Sequence, residues 1–271
     1  MDIPTSTLAQ QALRPTELFV QETGSGTPLL LIHGLMVSGE MYRPALPGLA
    51  QHHHLIVPDL RGYGHSRALP GPYTVTQLAD DLARLLDDLG IDTAVDVLGY
   101  SQGGAVAQQL AYARPDRVRG LVLACTYAYN MLSLREHMEG IALPWLIRIL
   151  GLRRLAGMVS GAGGGARMSP EIERWFQGIL TDNDQSRMVE ASQAMTAFDS
   201  RPWLDQIVCP TLVIAGAEDT AVPLAHAQML VQGIPGAQLR MVDGAGHTLL
   251  WTHTEVFTKL VNEFLASLSG S

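Results

Sequence analysis

Cysteine and charged residues are both scarce in this chain of 271 residues. Only two cysteines occur, Cys125 and Cys209, and each borders an apolar stretch. We therefore expect free, buried, structural thiols rather than a disulfide or a catalytic thiol. So little cysteine suits a reducing compartment, which predicts a cytoplasmic protein.

Long apolar runs and basic clusters are missing as well. The most apolar long segment, 141–150, is interrupted by Pro144 and Arg148 and is too short to span a bilayer. Residues 1–15 lack the basic start and apolar stretch of a signal peptide. The formal net charge is -8, with no stripe rich in lysine and arginine, which argues against a nucleic-acid partner.

What the chain does contain is an alternation of apolar, strand-like runs and helical patterns. Hydrophobic residues make up 47% of it, enough for a compact globular protein. The alternation predicts an α/β fold with a doubly wound, mostly parallel central sheet. The predicted strands cover 18–22, 29–32, 55–58, 94–98, 120–124, 211–215 and 238–242. The clearest predicted helices cover 75–89, 105–111 and 254–268.

The pattern changes between residues 127 and 201, where helical spacing continues without a strand-like run. This predicts a helical cap inserted late in the chain, with 1–126 and 202–271 as the core domain. Its methionines and tryptophans indicate either an apolar pocket or packing between cap and core. The glycine-rich stretch 161–165 is interpreted as a flexible connector, since it lacks the Gly-Lys-Ser/Thr ending of a phosphate loop.

The pentapeptide 99–103, Gly-Tyr-Ser-Gln-Gly, lies where a predicted strand runs into a helix. A serine on so sharp a turn is strained and needs small neighbours, which Gly99, Gly103 and Gly104 supply. The turn would present the Ser101 hydroxyl at the positive end of a helix, as a nucleophile requires. The alternative is an ordinary turn, because the pattern also arises by chance among 27 glycines.

A serine nucleophile needs a base and an orienting acid, which follow it in the order acid, then histidine. Asp219 comes just after the strand 211–215, and His247 just after 238–242. Both therefore emerge at the carboxyl edge of the sheet, where open α/β sheets build their sites. Glu218 is the alternative carboxylate, and Asp219 could instead cap a helix.

Other histidines have simpler interpretations. The run 52–54 invites a metal site, but neighbours on an extended chain face opposite ways, so we expect a solvated loop entering a strand. His226 and His253 lie in helix-forming stretches without a partner motif. No metal or organic cofactor is predicted.

The backbone N–H groups of Gln102 and Leu35 are the predicted oxyanion hole, with Gly34 allowing close approach. His33 is expected to brace this loop rather than to act as the base. Further substrate contacts are predicted from His33, Gly34, Met36, Tyr100, Met131, His137, Trp145 and Val222.

Five motifs in this order resemble the α/β-hydrolase superfamily over about residues 17–268. They are the His33-Gly34 loop, segment 59–66, the elbow 99–104, the acid loop 216–223 and Gly246-His247. The resemblance implies a Ser-His-Asp hydrolase and gives segment 59–66 a structural role near the site. The resemblance also argues against three activities of this fold. Dehalogenases and epoxide hydrolases carry aspartate at the elbow, where this chain has Ser101, and proline iminopeptidases carry Gly-x-Ser-Trp-Gly, which is absent here.

The leading hypothesis is hydrolysis of a small, largely apolar carboxylic ester or lactone through an acyl-enzyme. Carbon–carbon hydrolases of the family usually carry methionine where this chain has Gln102. Because this residue contributes only its backbone N–H, the difference does not exclude them, and a carbon–carbon hydrolase remains an alternative. A lyase, perhydrolase, cyclase or small-molecule receptor on the same fold also stays open. The sequence leaves the oligomeric state undetermined.

Overall fold

The computed structural model describes residues 17–129, 131–159 and 163–268. The signal-peptide prediction concerns residues outside these ranges. Seven strands form one sheet in the order β1-β3-β2-β4-β5-β6-β7. Every neighbouring pair is parallel except β1 with β3. This confirms the predicted α/β class and the mostly parallel sheet.

The predicted strands and helices are all present, with ends that shift by a few residues. The strands are β1 (Val20–Thr23), β2 (Thr27–Ile32), β3 (His53–Pro58), β4 (Val95–Tyr100), β5 (Val118–Ala124), β6 (Thr211–Gly216) and β7 (Gln238–Val242). The α-helices of the described residues are α1 (Leu46–Leu49), α2 (Val75–Asp88), α3 (Gln102–Ala113), α4 (Leu134–Val159), α5 (Pro170–Thr181), α6 (Gln185–Thr196), α7 (Leu224–Gly233), α8 (Leu249–Thr252) and α9 (Thr254–Ser267).

Local sequence explains where α2 begins and ends. The Thr74 hydroxyl accepts a hydrogen bond from the Gln77 N–H at 3.2 Å, which caps the first turn. Gly90, with φ of 69°, lies just beyond the last turn, where a left-handed residue ends helices. The buried residues of α2 are Val75, Leu78, Ala79, Asp81, Leu82, Ala83, Leu85 and Leu86.

The strand order reverses between β2 and β4, and this switch point positions the candidate site. Ile32, the last residue of β2, is in register with Gly99 of β4. The loop after β2 therefore begins beside the elbow after β4. Ligands of open α/β sheets bind in the crevice that such a reversal creates at the carboxyl ends of the strands.

Between β5 and β6 the described chain forms α4, α5 and α6 and no strand of the sheet. An isolated antiparallel bridge joins Tyr129 to Asp199, so the outgoing and returning segments meet. Helix α4 consists of two helical segments joined at Gly151, whose φ of 75° is not helical. The cap boundaries at 127 and 201 stay a prediction. No described helix is long and apolar enough to cross a bilayer.

The histidine run differs from its prediction. His53 and His54 belong to β3, and His53 is only 5% exposed, so a solvated loop is wrong for this residue. The reason is that β3 lies between β1 and β2 and is covered by helices. Alternation along the strand sends His54 to the other face, where its Nε2 lies 3.0 Å from Glu22 Oε2.

Candidate active site

Ser101 occupies a strained turn between β4 and α3. Its φ of 53° and ψ of -121° lie outside the conformations that side-chain-bearing residues favour. The turn is possible because Gly99 and Gly103 have no side chain. A Cβ on Gly99 would lie 2.3 Å from Gly103 O, and one on Gly103 would lie 2.1 Å from Ile32 O, which are both severe clashes. Only glycine fits these two positions, as the sequence predicted. The Ser101 carbonyl is held by the Thr126 hydroxyl at 2.6 Å.

Ser101, His247 and Asp219 form one hydrogen-bonded chain. His247 Nε2 lies 3.2 Å from Ser101 Oγ, and His247 Nδ1 lies 2.9 Å from Asp219 Oδ2. Because the carboxylate can only accept, Nδ1 carries the proton and Nε2 is left to accept one from the serine. The geometry is that of a nucleophile with its general base and orienting acid.

The acid loop holds Asp219 and leaves Glu218 in solvent. Asp219 Oδ1 accepts hydrogen bonds from the N–H groups of Ala221 and Val222 at 2.9 and 2.8 Å. The Asp219 side chain is 1% exposed, whereas Glu218 is exposed. Of the two carboxylates that the sequence left open, Asp219 is the one beside the imidazole. Val222, predicted as a substrate contact, contributes its backbone N–H to the acid.

Tyr100 supports the histidine loop from within the core. Its hydroxyl donates to His247 O at 2.7 Å, and its ring packs against Trp251 and Phe257. Burial raises the pKa of Tyr100 well above its ordinary value, so it remains a neutral donor. The structure thus places Tyr100 behind His247 rather than in a position to contact substrate.

The Cys125 thiol lies beside the Asp219 carboxylate, a contact that no sequence pattern signals. Donor atoms of Cys125, Asp219 and His247 lie within 4.8 Å of one another. Burial, and next the Asp219 charge, raise the pKa of the thiol to about 12, so it stays protonated. The thiol is neutral, and the hydrogen bond between His247 Nδ1 and Asp219 Oδ2 is intact. We therefore interpret these three groups as a hydrogen-bonded cluster rather than as a cation site. Cys125 and Cys209 are both free, as predicted, but only Cys125 is buried, while Cys209 is partly exposed.

The loop after β2 reaches the nucleophile through Gly34, where a Cβ would lie 3.3 Å from Ser101 Cβ. Within the described part of the chain, the N–H groups of Leu35 and Gln102 donate to no acceptor. Two free N–H groups flanking a serine can stabilise a developing oxyanion.

His33 braces this loop through both ring nitrogens. Its Nε2 accepts the Leu60 N–H at 2.9 Å, which puts the proton on Nδ1, and Nδ1 donates to Gly34 O at 2.9 Å. Burial lowers the pKa of His33, which favours the neutral ring that this arrangement needs. With its ring buried and both nitrogens paired, His33 has a supporting position, not that of a second base.

Asn183, between α5 and α6, ties the helical layer to the site, and sequence reasoning missed it. Its Nδ2 donates to Met36 O at 2.8 Å, and its Oδ1 accepts the Gly64 N–H at 3.0 Å. Met36 has a φ of 63°, so this contact holds a strained residue of the oxyanion loop. A lone asparagine in a polar turn gives no signal of such a contact.

The glycine-rich stretch packs directly on the loops that carry Asp219 and His247. Gly163 O accepts the His247 N–H at 2.7 Å. A Cβ on Gly164 would lie 2.0 Å from Glu218 O, so the backbones meet without room for a side chain. The interpretation as a flexible connector therefore does not hold for 163–165, while 161 and 162 lie outside the described residues.

Two of the three predicted cap contacts, His137 and Trp145, have exposed side chains. The Met131 sulfur lies 3.1 Å from His137 Nδ1 near the start of α4, and His137 is exposed. Trp145 is 58% exposed on the outer side of that helix. His226, which showed no partner in sequence, has its Nε2 3.1 Å from the Glu136 carboxylate of α4.

A surface cavity of about 580 Å³ lies away from the triad. It opens between α1, α5 and α9, and Trp175 and Trp251 form part of its apolar wall. None of the three triad residues lines it. This cavity therefore does not coincide with the hydrogen-bonded chain of Ser101, His247 and Asp219.

Residues 27–147 and 175–254 match the sequence model of the family described as alpha/beta hydrolase fold, and the chain belongs to this family. It is thus an enzyme of the α/β-hydrolase class. The chain is 32% identical to a poly(3-hydroxyalkanoate) depolymerase of Ectopseudomonas oleovorans, over 88% of this chain and 84% of the depolymerase.

Solved structures of the same family superpose closely. A thermophilic esterase from Thermogutta terrifontis is 29% identical, with a TM-score of 0.85 covering 93% of both chains. The enol-lactonase from Burkholderia xenovorans is 27% identical, with a TM-score of 0.82 covering 92% of this chain and 96% of the lactonase. This chain is similar to proteins named for cleaving esters and lactones.

Proposed function

We propose that this protein hydrolyses carboxylic esters or lactones of small, largely apolar substrates through Ser101, His247 and Asp219. The observation that carries the proposal is the chain of contacts from Ser101 Oγ to His247 at 3.2 Å and from His247 to Asp219 at 2.9 Å. The printed names of the esterase, lactonase and depolymerase relatives support the same reaction class.

In the first half-reaction Ser101 Oγ attacks the carbonyl carbon while His247 Nε2 takes the hydroxyl proton. Asp219 stabilises the imidazolium that forms and keeps its orientation. The carbonyl oxygen becomes an oxyanion facing the free N–H groups of Leu35 and Gln102. Each such donor is worth roughly 3–4 kcal/mol in the transition state. The C–O bond to the alcohol then breaks, and His247 returns the proton to the departing oxygen.

In the second half-reaction water replaces the alcohol. His247 Nε2 removes a proton from water as its oxygen attacks the acyl carbon. The tetrahedral intermediate uses the same two N–H groups and collapses by breaking the bond to Ser101 Oγ. The proton passes back to the serine, so the enzyme is regenerated and the carboxylic acid leaves. The cycle consumes only ester and water.

The test is hydrolysis of p-nitrophenyl esters from acetate to decanoate by the wild type and by Ser101→Ala. We expect turnover to fall on the order of a million-fold in the variant, since the other two triad residues then have no nucleophile to activate. A fluorophosphonate probe should label the wild type at Ser101 only. Ser133→Ala, which changes an exposed serine before α4, is the matched control and should keep both rate and label.

Two results would contradict the proposal in different ways. Ester hydrolysis that survives in Ser101→Ala would mean that another group is the nucleophile. Labelling of Ser101 without turnover of any ester or lactone would retain the nucleophile but point to carbon–carbon cleavage, a non-hydrolytic reaction or a receptor.

A further inference from the structure

One side of α4 carries a stripe of large apolar side chains that no described residue covers. They follow one another at intervals of three and four positions, which places them on one face of the helix. The stripe residues are Leu134, Met138, Ile141, Trp145 and Ile149. Their exposed fractions run from 56% to 77%. A contiguous exposed apolar patch of this kind marks an interaction surface.

The stripe is not a consequence of a loosely packed helix. The opposite side of α4 is buried, with Ile147 fully inaccessible and Leu152 and Leu155 nearly so. Helix α4 packs through that side against α5 and α6. At 1.5 Å per residue, the stripe from 134 to 149 forms a ridge about 22 Å long on the outside of the molecule. It is a convex feature rather than a groove.

Positive charge lies at the C-terminal end of this ridge, while in its N-terminal part Arg135 pairs with the exposed Glu139. Arg148, Arg153 and Arg154 are exposed, and none of them forms an ion pair with a described carboxylate. The Arg148 guanidinium lies over the Trp145 ring, 5.5 Å from its centroid. The whole chain has a formal net charge of -8, so this concentration of arginine runs against the overall charge. This end of the ridge would attract an anionic partner.

We propose that the stripe face of α4 docks this protein on an anionic lipid surface. An exposed helix with an apolar ridge, an interfacial tryptophan and flanking arginines lies naturally in the headgroup plane of a bilayer. Apolar side chains enter the acyl boundary while the arginines pair with lipid phosphates. Docking in this way requires no membrane-spanning segment.

A second copy of the chain is the competing occupant of the apolar stripe. A lipid phosphate layer meets Arg148, Arg153 and Arg154 with opposite charge, which favours the lipid surface.

The test is flotation of the protein with vesicles of phosphatidylcholine alone or mixed with phosphatidylglycerol. We expect binding to the mixed vesicles, weakened by added salt because the arginine contribution is screened. Replacing Arg148, Arg153 and Arg154 together by glutamine should lower partitioning on the order of 100-fold. Ser101→Ala should bind like the wild type, so this result is independent of the proposed hydrolysis.

The apolar contribution is tested by the double variant Ile141→Ser with Ile149→Ser, which should bind at least roughly tenfold more weakly. Val208→Ser is its control, since Val208 is 75% exposed outside α4. Both variants should hydrolyse a water-soluble ester at the wild-type rate, which shows that they are folded. Equal binding to neutral vesicles, or no flotation with either lipid, would overturn the proposal. A dimer that the double variant disperses would assign the stripe to self-association instead.

Discussion

At the scale of single residues, two adjacent carboxylates have opposite environments. Asp219 is buried and accepts two backbone N–H groups in addition to His247 Nδ1, whereas Glu218 is exposed. We predict that Asp219→Asn lowers kcat by about 10⁴-fold, because a neutral amide neither fixes the tautomer of His247 nor stabilises the imidazolium. Initial rates on a p-nitrophenyl ester measure this loss.

Glu218→Gln is the matched control for that experiment, as it makes the same chemical change one residue away. It should leave kcat within about twofold of the wild type, in line with the small effect of isolated surface charges. Equal losses in the two variants would show that the acid loop as a whole, rather than the Asp219 charge, supports the reaction.

At the scale of elements, the glycine segment 163–165 joins the helical layer to the loops that carry Asp219 and His247. We predict that Gly164→Ala lowers kcat on the order of 100-fold, because the new Cβ would lie 2.0 Å from Glu218 O and push the acid loop away from His247. The φ of 71° at Gly164 adds strain for any residue with a side chain. Steady-state kinetics should show the loss in kcat more than in KM.

Gly178→Ala is the control for this segment. Gly178 lies within α5, and a Cβ there meets no atom within 4 Å. Alanine should therefore keep full activity and stabilise the helix by up to about 1 kcal/mol. Unchanged kcat in Gly164→Ala would mean that the packing of this segment on the Asp219 and His247 loops does not position them.

At the scale of the whole molecule, a buried ion pair joins the loop after β3 to α2. Arg61 Nε and Nη2 donate to the two Asp81 oxygens at 2.5 and 2.9 Å. Burial by itself would raise the pKa of Asp81, but hydrogen bonds from Arg61, Gln77 and Arg84 outweigh it and lower the pKa. The Asp81 carboxylate therefore stays ionised to a lower pH in the folded protein than in the unfolded chain.

This shift predicts the sign of one contribution to acid denaturation. The pKa of Asp81 in the folded protein lies below its ordinary value. The stability that this carboxylate contributes is therefore fully present at a pH above its ordinary pKa and is lost as the pH falls through its folded pKa. Asp81→Asn should lower the free energy of unfolding at neutral pH by about 3 kcal/mol, since it leaves the partly buried Arg61 with only the exposed Glu17 as a charge partner.

Urea unfolding at several pH values between 7 and about 3 measures both effects. The wild type should lose stability in the acid range more steeply than Asp81→Asn. Asp80→Asn, one residue away and exposed, is the control and should behave like the wild type. Parallel pH curves for wild type and Asp81→Asn would contradict the assignment.

The sequence by itself determined the features that depend on local spacing. Apolar runs of β-strand length and the amphipathic pattern of α2 predicted the sheet and its helices, because strand and helix repeats are written in neighbouring residues. The glycines around Ser101, and the positions of Asp219 and His247 after strands, indicated for a related reason that these three side chains lie together. Parallel strands bring their carboxyl ends to one edge whatever their separation along the chain.

Only the tertiary structure decided which side chains lie beside these groups. Tyr100 points into the core behind His247, Trp145 faces solvent, and Asn183 reaches the oxyanion loop from the helical layer. The contacts of 163–165 with His247 and with Glu218 join residues 84 and 54 positions apart. Such contacts depend on how layers pack and on where each side chain points, and neither is encoded in the spacing of nearby residues.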